Sequence, residues 1–308
     1  MSGILSCSFS IPAMAQEGGY GLHFESFDAK PGTKAEDKKE TKEPEIQMPA
    51  ASSDFSELRS QGVVLIQKVI DPLRVQLQDG RIVQLASLEI PDNNAGIPGP
   101  VASKAFEQLK TMLENKQATF YQTKDEGDGR RNRMGHYLGH LETHGDKFWI
   151  QGVLIKNGLA RIQPSADNTE MAAQMITLEN EAIKEKRGIW ASDKFGVLTP
   201  ENAASAMNSW AIVEGKITKT GMSNNTVFLN FAEDWRKDFT IGIEGEVRRQ
   251  IAKKNLDSMS LGGKRVRVHG WVEDYNGPYI KLSNAIWLEI LPDSLPDAAP
   301  PANLPKDN

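Results

Sequence analysis

"GVLIKNGLARIQPSADNTEMAAQMITLENEAIKEKRGIW", residues 152–190, is the stretch whose reading decides the fold. With Ile150 and Gln151 ahead of it, the run "IQGVLIKNG" predicts a short apolar helix ended by Gly158, a residue suited to the left-handed turn that closes helices. "LARIQ" predicts a brief strand. Asn168 to Arg187 predicts an amphipathic helix, which Gly188 stops before Ile189-Trp190.

Upstream, "GVVLIQKVI" from Gly62 predicts a strand. "LRVQLQDGRIVQLASLEI" alternates apolar and polar residues on both sides of Asp79-Gly80, a hairpin signal. Val101 to Lys116 carries Ala105, Phe106, Leu109, Met112 and Leu113 at helical spacing, and "QATFYQ" and "GHYLGHLE" follow as strands. Three strands, a helix, two strands and further helix fit a short barrel with helices packed on it better than a parallel βαβ sheet. Downstream of the linker "SDKFGVLTPENAASAMNS", "WAIVEGKIT", "TVFLNF" and "DFTIGI" predict strands. A helix follows over 245–258, with Val247, Ile251 and Leu256 on one side, and then "RVRVHGWVE", "YIKLS" and "IWLEIL". Asn276-Gly277-Pro278 makes the hairpin between the first two of these. That is the strand order of an OB fold. The fold class expected is therefore mainly β with packed helices (α+β), as two tandem OB-fold barrels.

The ends read differently. The chain of 308 residues has a net charge of -5, which argues against coating nucleic acid by bulk charge and leaves room for a local patch. Its single cysteine, Cys7, rules out an intrachain disulfide and a cysteine-based zinc site. No apolar run approaches the ~18–20 residues of a membrane span. Residues 1–15 end in Ala13-Met14-Ala15, the small-x-small pattern that precedes secretory cleavage, without a basic start. They read as the tail of a signal peptide. "ILSC" also loosely resembles a lipoprotein box, with Cys7 as a candidate lipid anchor. Residues 16–58 read as a charged linker; in particular 27–50 mix Lys, Glu and Pro with almost nothing apolar and cannot offset their ordering entropy. The Pro-rich tail, 292–308, reads as disordered. Between these ends stand the domains 59–195 and 206–291. The expected location is the bacterial periplasm or cell envelope.

The first domain resembles the thermonuclease (staphylococcal nuclease-like) family over about residues 62–192. The stretch 152–190 resembles that family's apolar helix, "GLA" strand start and long helix closing in "GIW". "VIDPLRVQLQDGRIVQLASLEIPD" resembles its "V-D-G-D-T … D-G … R-L-x-x-I-D-x-P-E". The resemblance implies a calcium-dependent phosphodiesterase in which aspartates hold the metal, a glutamate activates water and two arginines bind charge developing on phosphorus. Carried over position by position, that chemistry breaks. Asp71 keeps the first aspartate, but Pro72, Leu73 and Arg74 replace the glycine, metal aspartate and threonine. Gln84 stands at the first arginine, Glu89 at the second metal aspartate, Asp92 at the general-base glutamate. In "Asn132-Arg133-Met134-Gly135-His136", His136 stands at the second arginine. Losing one preorganised donor typically costs ~10²–10³ in rate, and a ~1 Å misplacement of a base, such as a missing methylene at Asp92 gives, ~10². The resemblance thus implies catalytic positions Gln84, Asp92 and His136, with Asp71 and Glu89 as residual metal positions. No cofactor is expected, and calcium only if nuclease activity persists.

His136, His140 and His144 recur every fourth residue. On a strand, His136 and His140 lie about 13 Å apart at ~3.3 Å per residue, whereas zinc takes its ligands at about 2.0–2.1 Å. Neighbours on one strand cannot share an ion, so His140 and His144 read as surface polar residues. The second domain resembles OB-fold nucleic-acid-binding modules of the anticodon-binding kind. This resemblance implies a binding set of Lys264, Arg265, Arg267, Trp271, Tyr275 and Tyr279, with Lys281, Arg236, Lys237, Phe239, Arg248 and Arg249 as further candidates. By strand parity Arg265, Arg267, His269 and Trp271 share one face. Partners expected are single-stranded nucleic acid or an envelope protein. Three functions remain open: a non-catalytic binding protein, a calcium nuclease with a rearranged site, and a structural envelope component.

Overall fold

A computed structural model describes residues 53–94, 97–127, 129–234 and 238–292. The leader, the linker up to residue 52, the tail beyond residue 292 and the candidates Arg236 and Lys237 lie outside the described residues.

The first sheet is built from β1 (Leu58–Asp71), β2 (Arg74–Leu77), β3 (Ile82–Leu85), β7 (Gln117–Thr123) and β8 (Tyr137–Thr143). These close into a five-stranded barrel in the order β1-β2-β3-β8-β7. All pairs are antiparallel except β3 with β8. β1 serves both neighbours: Ile66 to Asp71 face β2 and Leu58 to Leu65 face β7. An irregularity between Ser60 and Val63 holds Gly62 at a φ of 87°. The period-two pattern does what it predicts. Val75, Leu77, Val83 and Leu85 point into the barrel, while Arg74, Gln76, Ile82 and Gln84 stay half-exposed. The short pieces β4 (Leu88–Glu89), β5 (Asn93–Asn94) and β6 (Ile97–Pro98) lead into α1 (Pro100–Leu113), which buries Ala102, Ala105, Leu109, Met112 and Leu113.

α2 (Ile150–Lys156), β9 (Arg161–Ile162) and α3 (Ala172–Lys184) complete the first half. The "GLA" and "GIW" glycines of the opening stretch meet face to face. Ile189 N donates to Gly158 O at 2.9 Å. A Cβ on Gly158 would sit 2.1 Å from Arg187 O, and one on Gly188 2.1 Å from Gly158 O. Both glycines also have positive φ, 61° and 53°, so no other residue fits either place without backbone movement. α3 is shorter than the predicted 168–187. Asn168 and Lys186 are in the left-handed region, with φ of 54° and 51°, and the helix lies between them.

The second sheet contains β10 (Ser209–Lys216), β11 (Lys219–Ser223), β12 (Thr226–Asn230), β13 (Thr240–Ile243), β14 (Arg265–Asp274), β15 (Pro278–Lys281) and β16 (Leu288–Leu291). Its order is β10-β14-β15-β13-β12-β11, with β16 on the other part of β14. β13 and β15 are its parallel pair, as β3 and β8 are in the barrel. β11 was not predicted, because "KTGMS" carries no apolar alternation. α4 (Gly245–Lys253) buries Val247 and Ile251 but stops before the predicted end. Asn255 takes a φ of 57°, and Leu256 is exposed rather than packed with them. Among the described residues no helix is long and apolar enough to cross a membrane.

Both sheets belong to one compact unit. Between them, Glu179 on α3 and His269 on β14 are buried and bonded at 2.6 Å, and the other Glu179 oxygen accepts from Ile162 N at 2.8 Å. Arg161 donates to Trp210 O, and Trp287 Nε1 donates to Ser165 O, each at 2.7 Å. With its carboxamide turned to suit both neighbours, Gln163 accepts from Trp210 Nε1 at 2.9 Å and donates to Leu88 O at 3.2 Å. Residues 161, 163 and 165 of the first half are therefore tied to Trp210 and Trp287 of the second.

Candidate functional site

Each carboxylate that the thermonuclease resemblance places at a site position is engaged inside the protein, whereas His136 is half-buried with its Nδ1 unpartnered. Asp71 Oδ2 accepts from the Arg74 guanidinium at 2.6 Å, and its Oδ1 from Leu73 N at 2.9 Å. Leu73 packs half-buried on the core and offers no oxygen. Glu89 pairs with Arg161 at 2.7 Å. Asp71 and Glu89 are thus each neutralised by an arginine, and Leu73, at the position of the family's metal aspartate, is a hydrocarbon. This donor set does not fit calcium, which needs several uncommitted oxygens. Among the described residues no group of three His, Cys, Asp or Glu side chains could hold a metal ion.

Asp92 caps a helix. Its Oδ2 accepts from Val101 N and its Oδ1 from Ala102 N, both at 2.9 Å; these are the second and third amides of α1, after Pro100. Those amides have no partner within the helix, and the helix N-terminus carries partial positive charge, so a carboxylate is held there twice over. Gly99 makes the approach possible, because a Cβ there would lie 2.2 Å from Asp92 Oδ2. Capping by a residue eight positions before the first helical residue leaves no local sequence signal, and the resemblance alone had drawn attention to Asp92.

Gln84 and the 129–137 loop form a second set. Asn132 Nδ2 donates to Gln84 Oε1 at 2.8 Å, while Asn132 Oδ1 accepts from Met134 N (2.9 Å) and His136 N (3.1 Å). Gln84 and Asn132 line a cleft of about 230 Å³ together with Ser87, Gln163, Ser165 and Asn168. Its polar lining consists of carboxamides and hydroxyls and contains no ionisable side chain. Asn168 is buried and its Oδ1 has no partner. At the rim, Arg131 and Arg133 flank Asn132 and are exposed. Arg131 and Arg81 both lie over the Tyr137 ring, at 4.1 and 5.4 Å. Gln163, Ser165 and Asn168 were not singled out from the sequence; the turn-forming run "QPSADNT" was the available signal.

The histidines separate. His144 is exposed as expected. His140 is not a surface residue: it is fully buried, accepting from Trp149 Nε1 at 3.2 Å, and burial pushes its imidazole down to about 3. Its face of β8 is covered by Trp149 at the start of α2.

The candidate set on the second sheet is split between places. Arg265 and Arg267 share one face as parity predicts, yet that face meets Glu214 and α3. Arg265 bonds Glu214 Oε1 at 2.5 Å, Arg267 bonds Glu214 Oε2 at 2.6 Å, and Arg267 also donates to Asn180 Oδ1. Lys264 is exposed, and Trp271 is exposed with its ring edge-on to Trp210 at 5.5 Å. Tyr279 is buried and Tyr275 exposed, their rings 5.1 Å apart at the β14–β15 hairpin. Of the further candidates, Phe239 is in the core, Lys281 pairs with Glu244, Arg249 pairs with Glu246, and Arg248 bonds Asn225.

Residues 82–192 match the family described as staphylococcal nuclease homologue. The match covers β3 through the "GIW" turn, so this part of the chain is a staphylococcal nuclease-like domain, and its barrel is completed by β1 and β2, which precede the match. Comparison with curated proteins gives no match.

Proposed function

We propose that this chain is an exported, non-catalytic relative of the thermonucleases, built as two tandem OB barrels over 59–195 and 206–291, that binds single-stranded nucleic acid without cutting it. The observation that carries the reading is the commitment of Asp92 to α1. A general base must be aimed at the water it activates, and both Asp92 oxygens are instead turned onto backbone amides of α1. Arg74 on Asp71 and Arg161 on Glu89 support the same reading, since each takes up a carboxylate that calcium would need. The tandem-barrel reading is supported by the second sheet's strand order and by the two residues, Ile217 and Thr218, that separate β10 from β11 as halves of one bent first strand. The leader pattern at Ala13-Met14-Ala15 supports export to the bacterial envelope.

The uncharged cleft at Gln84 and Asn132 suits a nucleobase edge, because a carboxamide both donates and accepts. Arg131 and Arg133 beside it suit the adjoining phosphates. Full-length protein is incubated with single-stranded DNA and RNA in calcium or magnesium, and titrated with a labelled strand of about 12 nucleotides, within the ~4–16 that a single OB fold covers. The expected result is no cleavage above that of Asp92→Ala. Binding should weaken with salt at a log–log slope of about −1 to −2, as for two or so neutralised phosphates. Metal-dependent cleavage lost in Asp92→Ala overturns the non-catalytic reading. Absence of binding at low salt removes nucleic acid and leaves an envelope protein as the partner.

A further inference from the structure

The second sheet carries a groove that none of the preceding roles uses. It is an open cleft of about 400 Å³ lined by Gly221, Met222, Ser223, Phe228, Asn230, Thr240, Tyr275 and Asn276. That volume is within the range of small-molecule clefts, about 300–1,000 Å³. It runs over β11, β12 and β13 and is closed at one end by the β14–β15 hairpin. Met222 and Tyr275 are among the most exposed large apolar side chains described, at 59% and 57%, and both residues line this one groove.

The groove is supported from below. Tyr279 lies over Gly242 of β13 so closely that a Cβ there would meet its hydroxyl at 1.7 Å. The Tyr275 ring rests on Tyr279. Bare backbone at Gly242 therefore seats one tyrosine, which props the other at the groove's edge. Beside that ring, the Thr240 hydroxyl donates to Asn230 Oδ1 at 3.1 Å, which leaves the Asn230 nitrogen as the end turned to a ligand. Ser223 and Asn276 add a hydroxyl and a second carboxamide. A Cβ on Gly221 would meet nothing within 4 Å, so the groove continues over the strand at that point.

Charge decides the class of ligand. None of the eight lining residues is ionisable apart from the Tyr275 phenol, so phosphates would find no cation there. Glu273 and Asp274 are exposed immediately before Tyr275. Burial above all, with the carboxylates of Glu244 and Glu273 acting in the same direction, pushes the Tyr279 phenol up to about 12. A flat, uncharged ring with hydroxyls at its edge fits the groove: one aromatic face for the C–H side, and short carboxamides and hydroxyls for the polar rim.

We propose that this groove binds a neutral oligosaccharide, with Tyr275 as the stacking platform and Asn230, Thr240, Ser223 and Asn276 as the polar rim. Isothermal titration and saturation-transfer NMR on the full chain test it, using maltohexaose, cellohexaose and the hexamer of N-acetylglucosamine as probes and an oligothymidylate of about 12 nucleotides as the anionic control. At least one neutral hexasaccharide is expected to bind saturably with its ring protons in contact with protein. Tyr275→Ala should weaken it at least tenfold. Gly221→Val, which fills the groove from an open position on a strand, should do the same while leaving the melting temperature unchanged. The proposal is overturned if no probe binds, if binding is equally strong in both variants, or if oligothymidylate binds in a manner that depends on Tyr275.

Discussion

Replacing Asp92 by Asn tests whether this position serves structure or chemistry. The substitution keeps the size of the side chain and removes its charge. One carboxamide oxygen can still accept from α1, but the second contact becomes an N–H facing an N–H. The lost charge at the helix N-terminus costs about 0.3–1 kcal/mol, and losing one capping bond about 1 kcal/mol. The two together predict a destabilisation of about 1–2 kcal/mol, measured by urea unfolding with an unchanged m-value. For a chain of this size the melting temperature should fall by roughly 2–8 °C, at about 2–4 °C per kcal/mol. Hydrogen exchange should quicken first at Val101 and Ala102, the amides that lose their acceptor. Phosphodiesterase assays should show no difference between the two proteins. An Asp92→Asn variant of native stability that lost a metal-dependent activity would refute the reasoning, because Asp92 would then have been free to act as a base.

Three further outcomes follow from particular contacts. Buried neutral His140 has a folded-state pKa far below its ordinary value, so its contribution to stability is complete above pH ~6.5 and declines as pH falls towards 3. The slope is about 1.4 kcal/mol per pH unit, roughly 2 kcal/mol between pH 6.5 and 5, and that part of the pH dependence should vanish in His140→Gln. Removing Glu179 leaves His269 and Ile162 N without their shared partner, so Glu179→Leu should cost about 3–5 kcal/mol. A double-mutant cycle with His269→Leu should recover part of it, and strictly additive losses would show that the pair is not coupled. Trp287→Phe deletes the N–H that holds Ser165 O. Exchange across 163–168 should rise and oligonucleotide binding in the Gln84 cleft should weaken, whereas an unchanged exchange pattern would show that the indole does not hold this wall.

The sequence alone determined the local architecture. Period-two alternation around Asp79-Gly80 specifies β2 and β3, because one face of each must be buried. Gly158 and Gly188 specify where α2 and the chain after α3 turn, since only glycine tolerates both the positive φ and the backbone lying 2.1 Å from a would-be Cβ. The same one-dimensional pattern also placed Arg265, Arg267, His269 and Trp271 on one face of β14. What lies opposite that face could not be read from it. Only the tertiary structure brings Glu214, Asn180 and Glu179 there, turning an apparent cationic binding strip into part of the contact between the two halves. His140 changed from a surface residue to a buried one for the same reason, a neighbouring element covering a strand face. Asp92 shows the limit most clearly. The family resemblance suggested a base, and the helix that takes up both its oxygens begins eight residues later along the chain. Backbone conformation follows from short-range sterics and is written in sequence, whereas the partner of a polar side chain is a long-range fact that folding alone supplies.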